Sequence, residues 1–167
     1  EAGQIVAYAQ LAVKEKKCCG HCAENMAKAQ DGKKVKAKLI DKKGEQDITV
    51  TTPDLTVKVN RNTGLITEYT YRCKSLLGEG GTLKPNFWRA PTDNDMGAGL
   101  QKKFKAWKNP QMNLKSFDKS ESKDSVVLTA NFEMPVVKAE LMLRYRINAA
   151  GEVTVTEKMT TDKEAKV

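Results

Sequence analysis

The fold is decided by Leu55-Thr56-Val57-Lys58-Val59-Asn60-Arg61-Asn62-Thr63-Gly64-Leu65-Ile66-Thr67-Glu68-Tyr69-Thr70-Tyr71-Arg72. Leu55, Val57 and Val59 alternate with Thr56, Lys58 and Asn60, a period of two that suits a half-buried strand and not a helix. Asn62-Thr63-Gly64 supplies turn chemistry. From Leu65 to Arg72 a second strand is expected, with Thr67, Tyr69 and Tyr71 on one face and Ile66, Glu68 and Thr70 on the other. The same alternation returns in Ser125–Glu133, Lys138–Ile147 and Glu152–Thr160, and Asn148-Ala149-Ala150-Gly151 joins the last two as a hairpin loop. Strands of this length between polar turns predict an all-β chain built as an antiparallel sandwich.

Outward from these strands, the pattern breaks twice. Leu100, Phe104 and Trp107 stand at i, i+4 and i+7, the spacing of a short amphipathic helical turn with its apolar side inward. Between Lys14 and Lys34 lies Cys18-Cys19-Gly20-His21-Cys22, followed by the helix-prone Ala23-Glu24-Asn25-Met26-Ala27-Lys28-Ala29-Gln30 and closed by Asp31-Gly32. This segment reads as a linker. Before it, Gly3 to Val13 reads as a strand, so the chain looks excised from something longer.

At 167 residues the chain is long enough for one domain with a real core. No apolar run approaches the roughly 18 residues of a membrane-spanning helix. The formal net charge is +8. Ten lysines against five acids between Lys14 and Gln46 account for +5 of it. In Lys34-Val35-Lys36-Ala37-Lys38-Leu39 the lysines alternate with apolar residues, as on the wet face of a strand. No aromatic stands in the segment to stack a base, so the expectation is a solvated basic arm with no nucleic acid and no membrane as partners.

Cys19-Gly20-His21-Cys22 matches the tetrad of disulfide isomerases, where a helix N-terminus activates the first thiol. Two lysines and a cysteine precede it, however, and no parallel βαβ pattern surrounds it. Zinc would need Cys18, Cys19, His21 and Cys22 to close a tetrahedron within five residues, and Cys73 supplies no second pair. A thiol-rich linker without metal is the expectation.

Pro85-Asn86-Phe87-Trp88-Arg89-Ala90-Pro91-Thr92-Asp93-Asn94-Asp95-Met96-Gly97 concentrates two aromatics, a guanidinium and two carboxylates between prolines that impose an extended path into a turn. Gly97 and Gly99 follow as points of release. Asp93 and Asp95 on one short loop would approach a sugar from the same side, unlike a glycosidase pair. As a calcium loop, the fifth and twelfth positions would be Gly97 and Phe104, which carry no ligand. An Asx-rich turn locked by Arg89 as a buried charge partner fits better. Phe87, Trp88 and Trp107 read as core anchors, with a sugar-stacking platform as the competing role. His21 is the only histidine, and no nucleophile–base set or phosphate loop can be assembled.

The string from Asn86 to Gly97 resembles the N-F-W-R-A-P-x-D-N-D-x-G signature near the start of the C-terminal β-sandwich of family 2 β-galactosidases. The resemblance is clearest from Ile48 to Phe117. It implies a galactose-mutarotase-like supersandwich, incomplete here. Residues 1–13 would be the last strand of a preceding immunoglobulin-like domain, 14–46 a basic cysteine-containing linker, and 47–167 the first part of the sandwich domain. In that family the two catalytic glutamates lie on a barrel domain, so no catalytic residue falls in this chain. Asp93, Asn94, Asp95 and Gly97 would form an active-site-edge loop, with Phe87, Trp88 and Arg89 as its structural arm. The loop from Gly97 to Leu100 is shorter than relatives can have. The resemblance further implies a galactoside substrate through a parent enzyme, which would be a homo-oligomer in the bacterial cytoplasm or periplasm. That parent would use a divalent cation, Mg or Ca, with no cofactor or metal held by this chain. The competing role is a stand-alone carbohydrate-binding or protein-interaction sandwich.

Overall fold

A computed structural model describes residues 36–161, and the architecture is all-β. The strand expected at 3–13, the Cys18–Cys22 cluster and the helix-prone segment after it lie outside the described residues. Five strands form the first sheet in the order β1-β2-β3-β4-β5: Lys38–Ile40, Asp47–Thr51, Leu55–Asn60, Ile66–Tyr71 and Lys74–Ser75. Four more form the second sheet in the order β6-β7-β8-β9: Asn113–Glu121, Ser125–Met134, Ala139–Asn148 and Val153–Thr161. Every neighbouring pair is antiparallel. Strand β1 falls inside the stretch read as linker. No helix among the described residues is long and apolar enough to cross a membrane.

The core is the period-two pattern made physical. Ile48, Val50, Leu55, Val57, Val59 and Ile66 of the first sheet face Val126, Leu128, Phe132, Leu141, Leu143, Tyr145 and Ile147 of the second in one buried cluster. Strands β7 and β8 bury every second residue along their whole length. Burying a side chain of this size is worth about 1.5–3 kcal/mol, which suffices to fix which face of each strand turns inward.

Two bulges depart from the sequence pattern. Val59 pairs with Ile66 and Lys58 with Glu68, so Thr67 is an extra residue in β4. The bulge shifts the alternation, and Ile66 and Tyr69 both turn toward the core instead of to opposite faces. In β6 the register shifts between Leu114 and Ser116. Its two core-facing residues, Leu114 and Phe117, therefore stand three apart and not two. That spacing is why β6 carries no strand signal in the sequence.

At Gly64 the first sheet's turn packs tightly on the second sheet. The φ of Gly64 is +67°, and a Cβ there would lie 2.8–2.9 Å from Ala130 Cβ, Leu114 Cδ1 and Phe132 Cζ. Only glycine fits, for both conformation and space. The Gly64 carbonyl accepts a hydrogen bond from the Tyr145 hydroxyl at 3.1 Å, across the sandwich. Burial, with a smaller effect from the Glu157 charge, pushes the Tyr145 phenol up to about 12. The turn itself is shaped by Asn60, whose side-chain oxygen accepts from the backbone N–H groups of Asn62 and Thr63. At one rim, Asp41 after β1 pairs with both Arg61 and Lys119, tying the first sheet to β6.

Arg72 and Cys73 form the two-residue turn between β4 and β5, both with positive φ (46° and 61°). Asparagine or glycine usually fills such a turn. Here the Arg72 guanidinium lies over the Tyr71 ring, 5.3 Å from its centroid. Cys73, which the sequence leaves without a mate, is disulfide-bonded.

Candidate functional site

The proline-bounded arm joins β5 to the helical turns before β6, and Phe87 and Trp88 lean on the core before the chain reaches solvent. Trp107 is 8% exposed, in a 3-10 turn (Lys105–Lys108) that follows helix α2 (Leu100–Lys103). Phe87 packs on it with ring centroids 5.7 Å apart and planes tilted by 59°. Leu100 and Phe104 are half-buried, with Phe104 packed against the core, as the i, i+4, i+7 spacing predicts. Phe87 and Trp107 thus pack on each other, and both belong to or lean on the core.

Trp88 is half-buried against the core, less than its expected role as a main anchor requires. The buried aromatic against which the arm packs is Trp107, in the 3-10 turn beyond it. Arg89 is also corrected: its side chain is 68% exposed, so it is no buried charge partner. It does pair with Asp95, and the contact is two-pronged. Nη1 lies 2.6 Å from Oδ2 and Nη2 donates to Oδ1 at 2.9 Å. Fork-to-fork geometry of this kind adds direction to a pair that water would otherwise weaken.

Asp93-Asn94-Asp95-Met96-Gly97 is not a loop but a short helix, α1. Thr92 caps it. Its hydroxyl accepts from the Asp95 backbone N–H at 3.4 Å, while Asp95 Oδ2 accepts from the Thr92 backbone N–H at 2.8 Å and from its hydroxyl at 3.0 Å. This is a capping box, written in the sequence as Thr-x-x-Asp. Thr92 is therefore the residue that the sequence reading passes over, and the three-residue spacing was the available signal. Acidic Asp93 and Asp95 also suit the positive end of the helix.

The same contacts set the electrostatics. The Thr92 backbone N–H, then the Arg89 guanidinium, hold the Asp95 carboxyl below its ordinary value of 3.8. Asp95 is consumed by structure, whereas Asp93 and Asn94 stay exposed at the tip. Gly97 has an ordinary φ; the positive value falls at Gly99 (φ 69°), between α1 and α2. The arrangement is a rigid hook: aromatic root, Arg–Asp strut, capped turn and two free polar side chains. Among the described residues no group of three or more histidines, cysteines and carboxylates is placed to hold a metal ion.

Comparison with known proteins gives this geometry its context. Over 117 residues the chain is 27% identical to a beta-galactosidase of Priestia megaterium, covering 69% of this chain and 11% of the relative. Over 73 residues it is 37% identical to a beta-galactosidase of Lactobacillus delbrueckii subsp. bulgaricus, covering 42% of this chain and 7% of the relative. The chain thus spans about a tenth or less of the length of the relatives it matches. The family described as beta galactosidase small chain matches residues 51–166, a span that holds the hook and both sheets from the end of β2 onward. This chain belongs to the beta-galactosidase small chain family.

Proposed function

We propose that this chain serves as a non-catalytic β-sandwich of a β-galactosidase, where α1 supports the edge of the active site. The observation that carries the reading is the hook itself. Arg89, Thr92 and Asp95 spend their polar groups on holding one another, and the product of that effort is the fixed display of Asp93 and Asn94. A site edge needs that kind of pre-arranged polar pair on a rigid root. The reaction's acid and nucleophile belong to another part of the parent polypeptide. Retaining hydrolysis needs two carboxyl groups about 5–5.5 Å apart flanking the bond, one of them able to carry a proton. Asp95, with its carboxyl held low and both oxygens occupied, is a poor proton donor.

In this reading, a galactoside is met through the parent enzyme, which is a homo-oligomer and takes its divalent cation elsewhere. The purified chain should hydrolyse no chromogenic galactoside above a buffer blank, and its reading frame should also encode a barrel domain. Turnover by the chain alone would refute the non-catalytic role. A short reading frame coding for this sandwich alone would favour the stand-alone binding module.

A further inference from the structure

Cys73 stands in an unfavourable place for a side chain. It is the second residue of the two-residue turn from β4 to β5, exposed, with φ at 61° beside Arg72 at 46°. Two successive residues with a Cβ in the left-handed region are costly. Strand β5, which the turn leads into, is two residues long and both are exposed, so non-covalent packing holds this corner weakly. A covalent bond holds it as well, because Cys73 is disulfide-bonded.

The sequence narrows the mate. The chain has four cysteines, and the other three are Cys18, Cys19 and Cys22. Reach permits each of them. Strands β1 and β5 are the opposite edges of the first sheet, four strand spacings or roughly 19 Å apart. The stretch from Cys22 to Lys38, where β1 begins, spans up to about 55 Å when fully extended.

We infer that Cys73 is joined to one cysteine of the Cys18–Cys22 cluster, as a redox-sensitive staple that fastens the segment before β1 to the opposite edge of the sheet. In forming it, two cysteine thiols give up two protons and two electrons to a small-molecule disulfide such as oxidised glutathione, which leaves as two thiols. A dithiol reverses the step by exchange. The exposure of Cys73 opens the bond to that attack, and two further cysteines remain in the cluster to exchange with it. Closing so long a loop removes many conformations from the unfolded chain, which is how a disulfide stabilises most. The inference is independent of the role proposed for α1.

The test is a peptide map of the 167-residue chain, folded in a glutathione redox buffer, capped with N-ethylmaleimide and cut with trypsin without reduction. The expected result is Cys18–Lys28 linked to Cys73–Lys74, with caps on the two cluster cysteines left over, and separation of the peptides by dithiothreitol. Reduction should also speed exchange of the Leu76 amide, which donates to the Tyr69 carbonyl beside the turn, by about tenfold through local opening. In Cys73→Ser the same amide should not respond to dithiothreitol. A capped Cys73, a Cys73–Cys73 dimer or a bond confined to the cluster would each overturn the pairing. Leu76 exchange indifferent to reduction would overturn the staple.

Discussion

At the Gly64 seam and at the tip of the arm, a side chain satisfies a backbone group, but in opposite surroundings. Tyr145 donates to the Gly64 carbonyl in the dry interior, among Ala130, Leu114 and Phe132, with no room for one more carbon. Asp95 accepts from Thr92 and Arg89 with water alongside. In the seam, steric fit dominates and the hydrogen bond completes it. At the tip, polar geometry is everything, because α1 buries no residue. The first region should answer to changes of volume and the second to changes of charge and shape. A substitution that damages one should leave the other largely intact.

The largest effect is expected where the two regions meet. Trp107→Ala removes the buried root on which Phe87 leans, and should cost about 3–5 kcal/mol in chemical denaturation. The arm should loosen with it. A cost below about 1 kcal/mol would mean that the arm is not anchored in the core.

Next comes Gly64→Ala. The added carbon meets Ala130 Cβ, which cannot rotate away, and the residue must keep a positive φ. Overpacking costs about 1–3 kcal/mol, and the left-handed conformation about 1 kcal/mol more. A shift of the urea midpoint with unchanged slope would register the loss. If Gly64→Ala were neutral, the close approach of the sheets would be wrong.

Smaller effects should separate the regions by pH. Asp95 has its folded pKa lowered, so its contribution is present above the unfolded value of 3.8 and is lost as pH falls through the lower folded value. Backbone amide shifts of Thr92 and Asp95 should move in acid while β3 and β8 stay unchanged. Tyr145 has its folded pKa raised. Its contribution is full below the ordinary value of 10.0 and is lost as pH rises through about 12. Alkaline titration followed by tyrosinate absorbance should therefore release Tyr145 together with unfolding. Acid shifts spread evenly over both sheets would break the distinction.

Much of this was legible in the sequence, for identifiable reasons. Strands β3, β7 and β8 alternate without interruption, so Leu55–Val59, Val126–Met134 and Leu141–Ile147 announce their buried face directly. Hydrophobic patterning is blind to a bulge. Thr67 reverses the expected facing of Ile66, and Lys115 hides β6 by setting Leu114 and Phe117 three apart. In the arm, the residue types were visible and their roles were exchanged. Trp88 and Arg89 look like the buried elements because they sit beside prolines, yet Trp107 takes the interior and Arg89 works in solvent. Helix α1 was legible through Thr-x-x-Asp, but the flanking prolines and glycines argue locally for a loop.

The central claim is that the hook exists to display Asp93 and Asn94, and one pair of readings on a single variant addresses it. In the parent enzyme proposed above, the double substitution Asp93→Ala, Asn94→Ala should leave stability within about 0.5 kcal/mol, as surface changes do. It should lower kcat/KM for a chromogenic galactoside by about tenfold or more, because a misplaced site edge costs orientation. An unchanged kcat/KM with unchanged stability would contradict the account and leave α1 a structural cap without a part in catalysis.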